Sequence, residues 1–259
     1  MERDSAKILK PWFVLNRLLR KWYSNPWDLE TNQVIHDFSL QTAKHRQKLR
    51  KFSKKKTMLT IYHAVGTRSL RVIWTCEELG IPYQVETIPF IAEYRASQEW
   101  RKMNPVGKVP VLQDDDFIMF ESGAMVQYIL DRHGNGQLQP KPGTSEHGLY
   151  LQWCWFAEST FARPIGEIVN HRRVFEEHQQ SDAAINEMKA RASLCVKALD
   201  EAIEGREFLV GNEFTAADIM MGYSMFIFDK YVSSDHHNHA HDYWNRLQQR
   251  EACKVAFNL

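Results

Sequence analysis

The chain has 259 residues, enough for two modest domains. Hydrophobic residues make up 44% and charged residues 25%, ordinary for a water-soluble globular protein, and no apolar run is long enough to cross a bilayer. The formal net charge of +1 hides an asymmetry: residues 1–57 hold 14 of the 33 Lys+Arg and 5 of the 32 Asp+Glu, leaving 19 basic against 27 acidic residues beyond them.

The first 57 residues read as a basic extension, partly helical or disordered. Ile8, Trp12, Leu15, Leu18, Leu19 and Trp22 recur at helical spacing among Lys7, Lys10, Arg17, Arg20 and Lys21, and a basic run follows from Lys44 to Lys56. Such an arm suits weak membrane contact or organelle targeting, or is a solvated extension upstream of an alternative start at Met58. Glu2 and Asp4 sit where a secretory signal would be basic, so the expected location is cytoplasmic, with organelle targeting as the alternative. No nucleic-acid partner is expected.

From Met58 the texture changes. Leu59 to His63 reads as a strand. Ser69 to Leu79 carries the helical stripe Leu70, Ile73 and Trp74, closed by Gly80 at the C-cap position. Tyr83 to Ile88 reads as a second strand, parallel to the first. An irregular stretch is expected from Pro89 to Lys108. Val109 to Gln113 and Phe117 to Phe120 then form a hairpin around Asp114, Asp115 and Asp116. Ser122 to His133 is a helix with Met125, Tyr128 and Ile129 inward. The order β-α-β-β-β-α over residues 58–136 predicts an α/β thioredoxin-like domain.

Gln137 to Glu146 suits a linker, and residues 146–259 predict an all-α domain. Its first helix spans Gly148 to His178, bent near Pro164, where the ring removes a backbone donor. Ser181 to Glu204 is a second. Thr215-Ala216-Ala217-Asp218 is a capping box opening a helix apolar on every side, which belongs in a core. Asp242 to Gln249 is a last helix. Four histidines, His236, His237, His239 and His241, cluster before it in what reads as a solvated loop, so no metal site is predicted. Cys76, Cys154, Cys195 and Cys253 are too scattered for a disulfide framework or zinc site and read as small buried hydrophobes in a reducing compartment, Cys76 least securely.

Three segments carry a resemblance. Asn104-Pro105-Val106-Gly107-Lys108-Val109-Pro110-Val111-Leu112, then Glu121-Ser122-Gly123-Ala124, then Phe214-Thr215-Ala216-Ala217-Asp218, come in the order and spacing of the cytosolic glutathione transferase superfamily. With the first β-α unit they cover the chain from Met58 nearly to its end. Gly66-Thr67-Arg68-Ser69-Leu70-Arg71-Val72 resembles the first-helix segment of bacterial and fungal members of the serine type. The first 57 residues have no counterpart in the family core.

The resemblance implies glutathione as co-substrate, a small-molecule electrophile as second substrate and a homodimer as the assembly. It implies a cis Val109–Pro110 bond, exposing the Val109 backbone so that the tripeptide pairs with it as an added strand. The helix opened by Glu121 and Ser122 would receive the γ-glutamyl carboxylate on its unpaired N–H groups, with Glu121 accepting from the amino group. Lys108 would meet the glycyl carboxylate. Ser69 is the first candidate for holding the sulfur as thiolate, with Thr67 its rival, Arg68 a charge-based helper and Tyr62 a weaker donor. Trp155, Phe156, Glu158 and Phe161 are the expected walls of an electrophile pocket between the domains. The activity implied is glutathione transfer, with glutathione-dependent peroxide reduction as related chemistry on the same site; the alternative is a non-catalytic binding or regulatory protein on the same scaffold.

Overall fold

The computed structural model describes residues 58–233 and 238–259. The proposed N-terminal helix and basic run, and His236 and His237, lie outside them.

The sheet has four strands in the order β2-β1-β3-β4, where β1 is Leu59–His63, β2 Tyr83–Thr87, β3 Val111–Asp114 and β4 Phe117–Phe120. β1 and β2 run parallel, joined by helix α1 (Ser69–Leu79), and β3 runs antiparallel to both β1 and β4. Gly80 ends α1 at φ 61°, the left-handed conformation a C-cap requires and glycine adopts without penalty. Asp115, also at positive φ, forms with Asp116 the two-residue turn between β3 and β4, and Asp114 belongs to β3.

The stretch from Pro89 to Lys108, expected to be irregular, instead contains two short helices, α2 (Ala92–Ala96) and α3 (Gln98–Met103). Ser97 caps the second by accepting from the Trp100 N–H, and Trp100 is buried beside Ile88 and Val111. Helices this short give little periodic signal, and one tryptophan anchors them. The third strand begins at Val111, two residues later than expected. Helix α4 (Ser122–His133) packs on α1 and completes the thioredoxin-like domain.

The helical domain begins with α5 (Ser145–Trp155), capped by Thr144. A π-helical turn, Phe156–Phe161, leads into α6 (Ala162–Val174). The bend was expected at Pro164. The departure lies just before it, where the Ala162 N–H reaches back five residues to the Ala157 carbonyl. Pro164 lies two residues into α6, directly after the π turn, whose wider winding sits beside the proline's missing donor. Helix α7 (Asp182–Ile203) starts at its Ser181 cap.

Helix α8 (Ala216–Tyr231) has the capping box, and its buried face runs from Ala216 through Phe228 with few breaks. Gly222 permits close approach: a Cβ there would lie 2.8 Å from the Trp74 ring and 3.1 Å from Trp244. The last helix was expected at Asp242–Gln249. It starts earlier, as α9 (Asn238–Gln248), taking in His239 and His241, and α10 (Glu251–Phe257) follows it. α10 packs on α1: Arg250 donates to both Glu78 oxygens at 2.6 and 2.7 Å and lies 3.7 Å from the centroid of the Phe214 ring.

Candidate functional site

Strand register brings the site together. Tyr62 of β1 pairs with Val111, and Val111 pairs with Phe120 of β4. Continuing that register by one or two residues sets the end of β1, the Val109–Pro110 bond and Glu121–Ser122 side by side at one end of the sheet. The Val109–Pro110 peptide is cis. Helices α1 and α4 both begin at this end.

Glu121, not Ser122, is the N-cap of α4. It adopts φ 76° and ψ 106°, a conformation that costs a non-glycine residue on the order of 1–3 kcal/mol, and its side chain makes no capping hydrogen bond. Ser122 is the first helical residue, is buried, and its hydroxyl accepts from Arg71 Nη1 at 3.4 Å. A β-strand ending in Glu-Ser gives no local sign of positive φ, so the shift of cap position was invisible in the sequence.

At the start of α1 the hydroxyls form a series. Ser69 is fully buried, with its Oγ 2.7 Å from His63 Nδ1 and 2.8 Å from Thr67 Oγ1, while Thr67 donates to the Ala64 carbonyl at 2.7 Å. Counting protons assigns the directions. Since the Thr67 proton goes to Ala64, Ser69 donates to Thr67, and His63 Nδ1–H donates to Ser69. His63 is 1% exposed, and burial lowers its pKa, which keeps the ring neutral.

A cleft of about 340 Å³ opens beside this loop. On one side it is lined by Val65, Gly66, Thr67 and Arg68, with Phe90, Arg95, Lys108 and Val109. Opposite stand α6, through Ile165, Val169 and Arg173 among others, and α8, through Tyr223, Ile227 and Lys230. Of the two hydroxyl candidates, Thr67 reaches the cleft and Ser69 lies behind it. Tyr62 donates to Gln113 and packs against Trp100, away from the cleft.

None of the four expected pocket-wall residues lines this cleft. Trp155 points to solvent, Phe156 packs on Trp153, and Phe161 is core against Phe228. Glu158 instead forms ion pairs with Arg68 and the buried Arg71. Burial raises the Glu158 pKa, but the two guanidinium groups outweigh that and hold it below the ordinary carboxylate value. Phe156, Glu158 and Phe161 lie within the π turn, where the spacing of an α-helix does not hold.

Arg71 and Tyr223 were missed. Arg71 reaches from α1 to Glu158, to the Met220 carbonyl at 3.2 Å and to Ser224 Oγ at 3.2 Å, and sits over the Tyr223 ring. The Tyr223 hydroxyl donates to the Gly66 carbonyl at 3.2 Å, bracing the loop that carries Thr67. An arginine between Leu70 and Val72 was the available signal, since a charge in an apolar stripe needs a buried partner. Burial pushes the Cys76 thiol up to about 12, so it stays protonated and takes no part in chemistry at neutral pH. Among the described residues no group of three or more His, Cys, Asp or Glu is placed to hold a metal ion.

Comparison with known proteins agrees with this arrangement. Residues 57–131 match the family model "Glutathione S-transferase, N-terminal domain" and residues 164–251 match "Glutathione S-transferase, C-terminal domain". Glutathione S-transferase 3 of Schizosaccharomyces pombe is 24% identical over 211 residues, covering 77% of this chain and 86% of its own length. A probable elongation factor 1-gamma of Arabidopsis thaliana is 29% identical over 169 residues, covering 61% of this chain and 39% of its own length. Among solved structures, a glutathione transferase from Phanerochaete chrysosporium with oxidised glutathione superimposes with a TM-score of 0.71 at 22% identity, covering 80% of this chain and 96% of that one. With both of the family's domains matched in order around the cleft, the chain belongs to the glutathione S-transferase superfamily.

Proposed function

We propose that the chain is a glutathione transferase that holds the glutathione thiolate against Thr67 and delivers it to a small electrophile in the cleft. The observation that carries this reading is the Thr67 hydroxyl: it lies in the cleft wall, and its oxygen already accepts from Ser69. Swinging its proton from the Ala64 carbonyl to a bound sulfur leaves the rest of the series in place. A hydroxyl whose oxygen is itself hydrogen-bonded becomes a better donor, so His63 and Ser69 act through Thr67 as positioning residues. Ser69 is thereby reassigned from contact with the sulfur to support of the residue that makes it.

The tripeptide lies along the sheet edge. Its cysteinyl backbone pairs with Val109, where β3 pairing has not yet begun. Its γ-glutamyl carboxylate meets the first-turn N–H groups at Ser122, its amino group meets Glu121, and its glycyl carboxylate meets Lys108. The strained Glu121 backbone supports this reading, because such strain persists where it serves a site. The thiol proton leaves to water. The sulfur lone pair then forms the C–S bond, and the leaving group departs with its electrons.

Thr67→Ala should lower kcat on a generic aryl halide by about 10- to 100-fold with little change in glutathione affinity by calorimetry, while Ser69→Ala should cost only a few-fold. A larger loss for Ser69→Ala would return the sulfur contact to Ser69. The likeness to elongation factor 1-gamma favours a second reading, a non-catalytic binding or regulatory protein. Retention on immobilised glutathione, with no turnover of the aryl halide or of cumene hydroperoxide, would support it. The homodimer is checked by sedimentation of the full chain.

A further inference from the structure

The cleft is charged beyond what glutathione needs. Its lining contains Arg68, Arg95, Lys108, Arg173 and Lys230 and no aspartate or glutamate. Arg68 is compensated by Glu158. The other four have no carboxylate partner among the described residues. Lys108 and Arg95 stand on the sheet side, where Lys108 is assigned the glycyl carboxylate of glutathione. Arg95 stacks 4.6 Å from the centroid of the Phe90 ring, and its Nε is buried without a hydrogen bond.

Arg173 and Lys230 belong to the opposite wall, in the last turns of α6 and α8. Cations there also offset the helix dipoles, which alone would leave them free to point anywhere. Both line the same cleft. Lys230 leans across the cleft mouth, so that a Cβ on Gly66, next to Thr67, would lie 3.6 Å from its Nζ. Arg173 has only a 3.4 Å hydrogen bond to Asn170, another lining residue. Between them the wall is apolar: Ile165, Val169, Ile227 and the rings of Tyr223 and Tyr231.

We propose that the preferred electrophile is an organic anion, with an apolar or aromatic body lying on the α6–α8 wall and a carboxylate-type group held by Arg173 and Lys230. This rests on the glutathione transferase reading and names its substrate class. The opposite charge raises the local concentration of such a substrate and fixes its orientation, while a neutral analogue gains neither.

The test compares 4-chloro-3-nitrobenzoate with the neutral 4-chloro-3-nitrobenzamide, each kcat/KM divided by the uncatalysed rate with glutathione at the same pH. The full chain should favour the benzoate about five- to tenfold, with the preference shrinking as salt is added. In the double substitution Arg173→Gln, Lys230→Gln the ratio should fall to about one. A wild-type ratio near one would overturn the assignment. So would an equal loss for both substrates in the double variant, which would place Lys230 on the thiolate instead. Either result leaves the transferase reading standing, because the benzamide is still turned over. No glutathione uptake and no turnover of either compound would take both down.

Discussion

Replacing Arg71 with methionine should lower stability by about 3–5 kcal/mol, the cost of removing one partner of a buried ion pair and stranding the other. Its side chain is fully buried and pairs with Glu158, which is 25% exposed and also held by Arg68. The lost guanidinium also abandons the Met220 carbonyl and the hydroxyls of Ser122 and Ser224. For a domain pair of this size the melting temperature should drop by roughly 6–20 °C. Glu158→Leu should cost comparably. The double variant Arg71→Met, Glu158→Leu should recover a large part of the loss, because an apolar pair of similar volume leaves no buried charge behind, and the Arg68 it releases is 37% exposed and solvated. A double variant as damaged as the two losses added together would show the pair to be uncoupled. The pH dependence has a definite sign. Glu158 titrates below its unfolded value, so its contribution is complete above about pH 4.3 and fades as the pH falls through the folded pKa.

Asp218→Ala should be as damaging, by about 3–6 kcal/mol, for a different reason. Asp218 is fully buried and accepts from the Leu209 N–H at 3.0 Å, the Thr215 N–H at 2.8 Å and the Tyr243 hydroxyl at 2.9 Å. Alanine removes the Asp218 half of the capping box, whose cap is Thr215, and leaves three buried donors without acceptors, each worth about 1–3 kcal/mol when stranded. Asp218→Asn keeps one acceptor but turns a donor toward its neighbours, so it should fall between alanine and wild type. Urea unfolding of the three proteins gives the order directly. An alanine variant within 1 kcal/mol of wild type would mean that the donors find water.

What could be read from the sequence was local chemistry. Gly80 as a C-cap and the Thr215–Asp218 box each depend on a few neighbouring residues and appear where their chemistry predicts, and of the three aspartates expected to turn β3 into β4, Asp115 and Asp116 do so. The thioredoxin-like order followed because the strands and helices alternate with clear periods. What could not be read was non-local. That Thr67 lines the cleft while Ser69 does not goes with a contact from His63, six residues back on another element, to the buried Ser69 hydroxyl. Phe161 packs on Phe228 in the core and Glu158 pairs with two arginines, within a π turn that no residue of Phe156–Phe161 announces. Tyr223 sits in a helix apolar on all sides, so its hydroxyl reaching Gly66 left no pattern to find. The positive φ of Glu121 is likewise imposed by the surrounding fold.

A bound thiol can be titrated directly, by the ultraviolet absorbance of its thiolate in a difference spectrum between the glutathione complex and its separated components. With the hydroxyl series and the opening turn of α1 beside it, the bound sulfur should ionise about one to two pH units below the value near 8.5 of a free cysteine-type thiol, and Thr67→Ala should return most of that shift. A bound glutathione that titrates like the free tripeptide would contradict the assignment of this cleft.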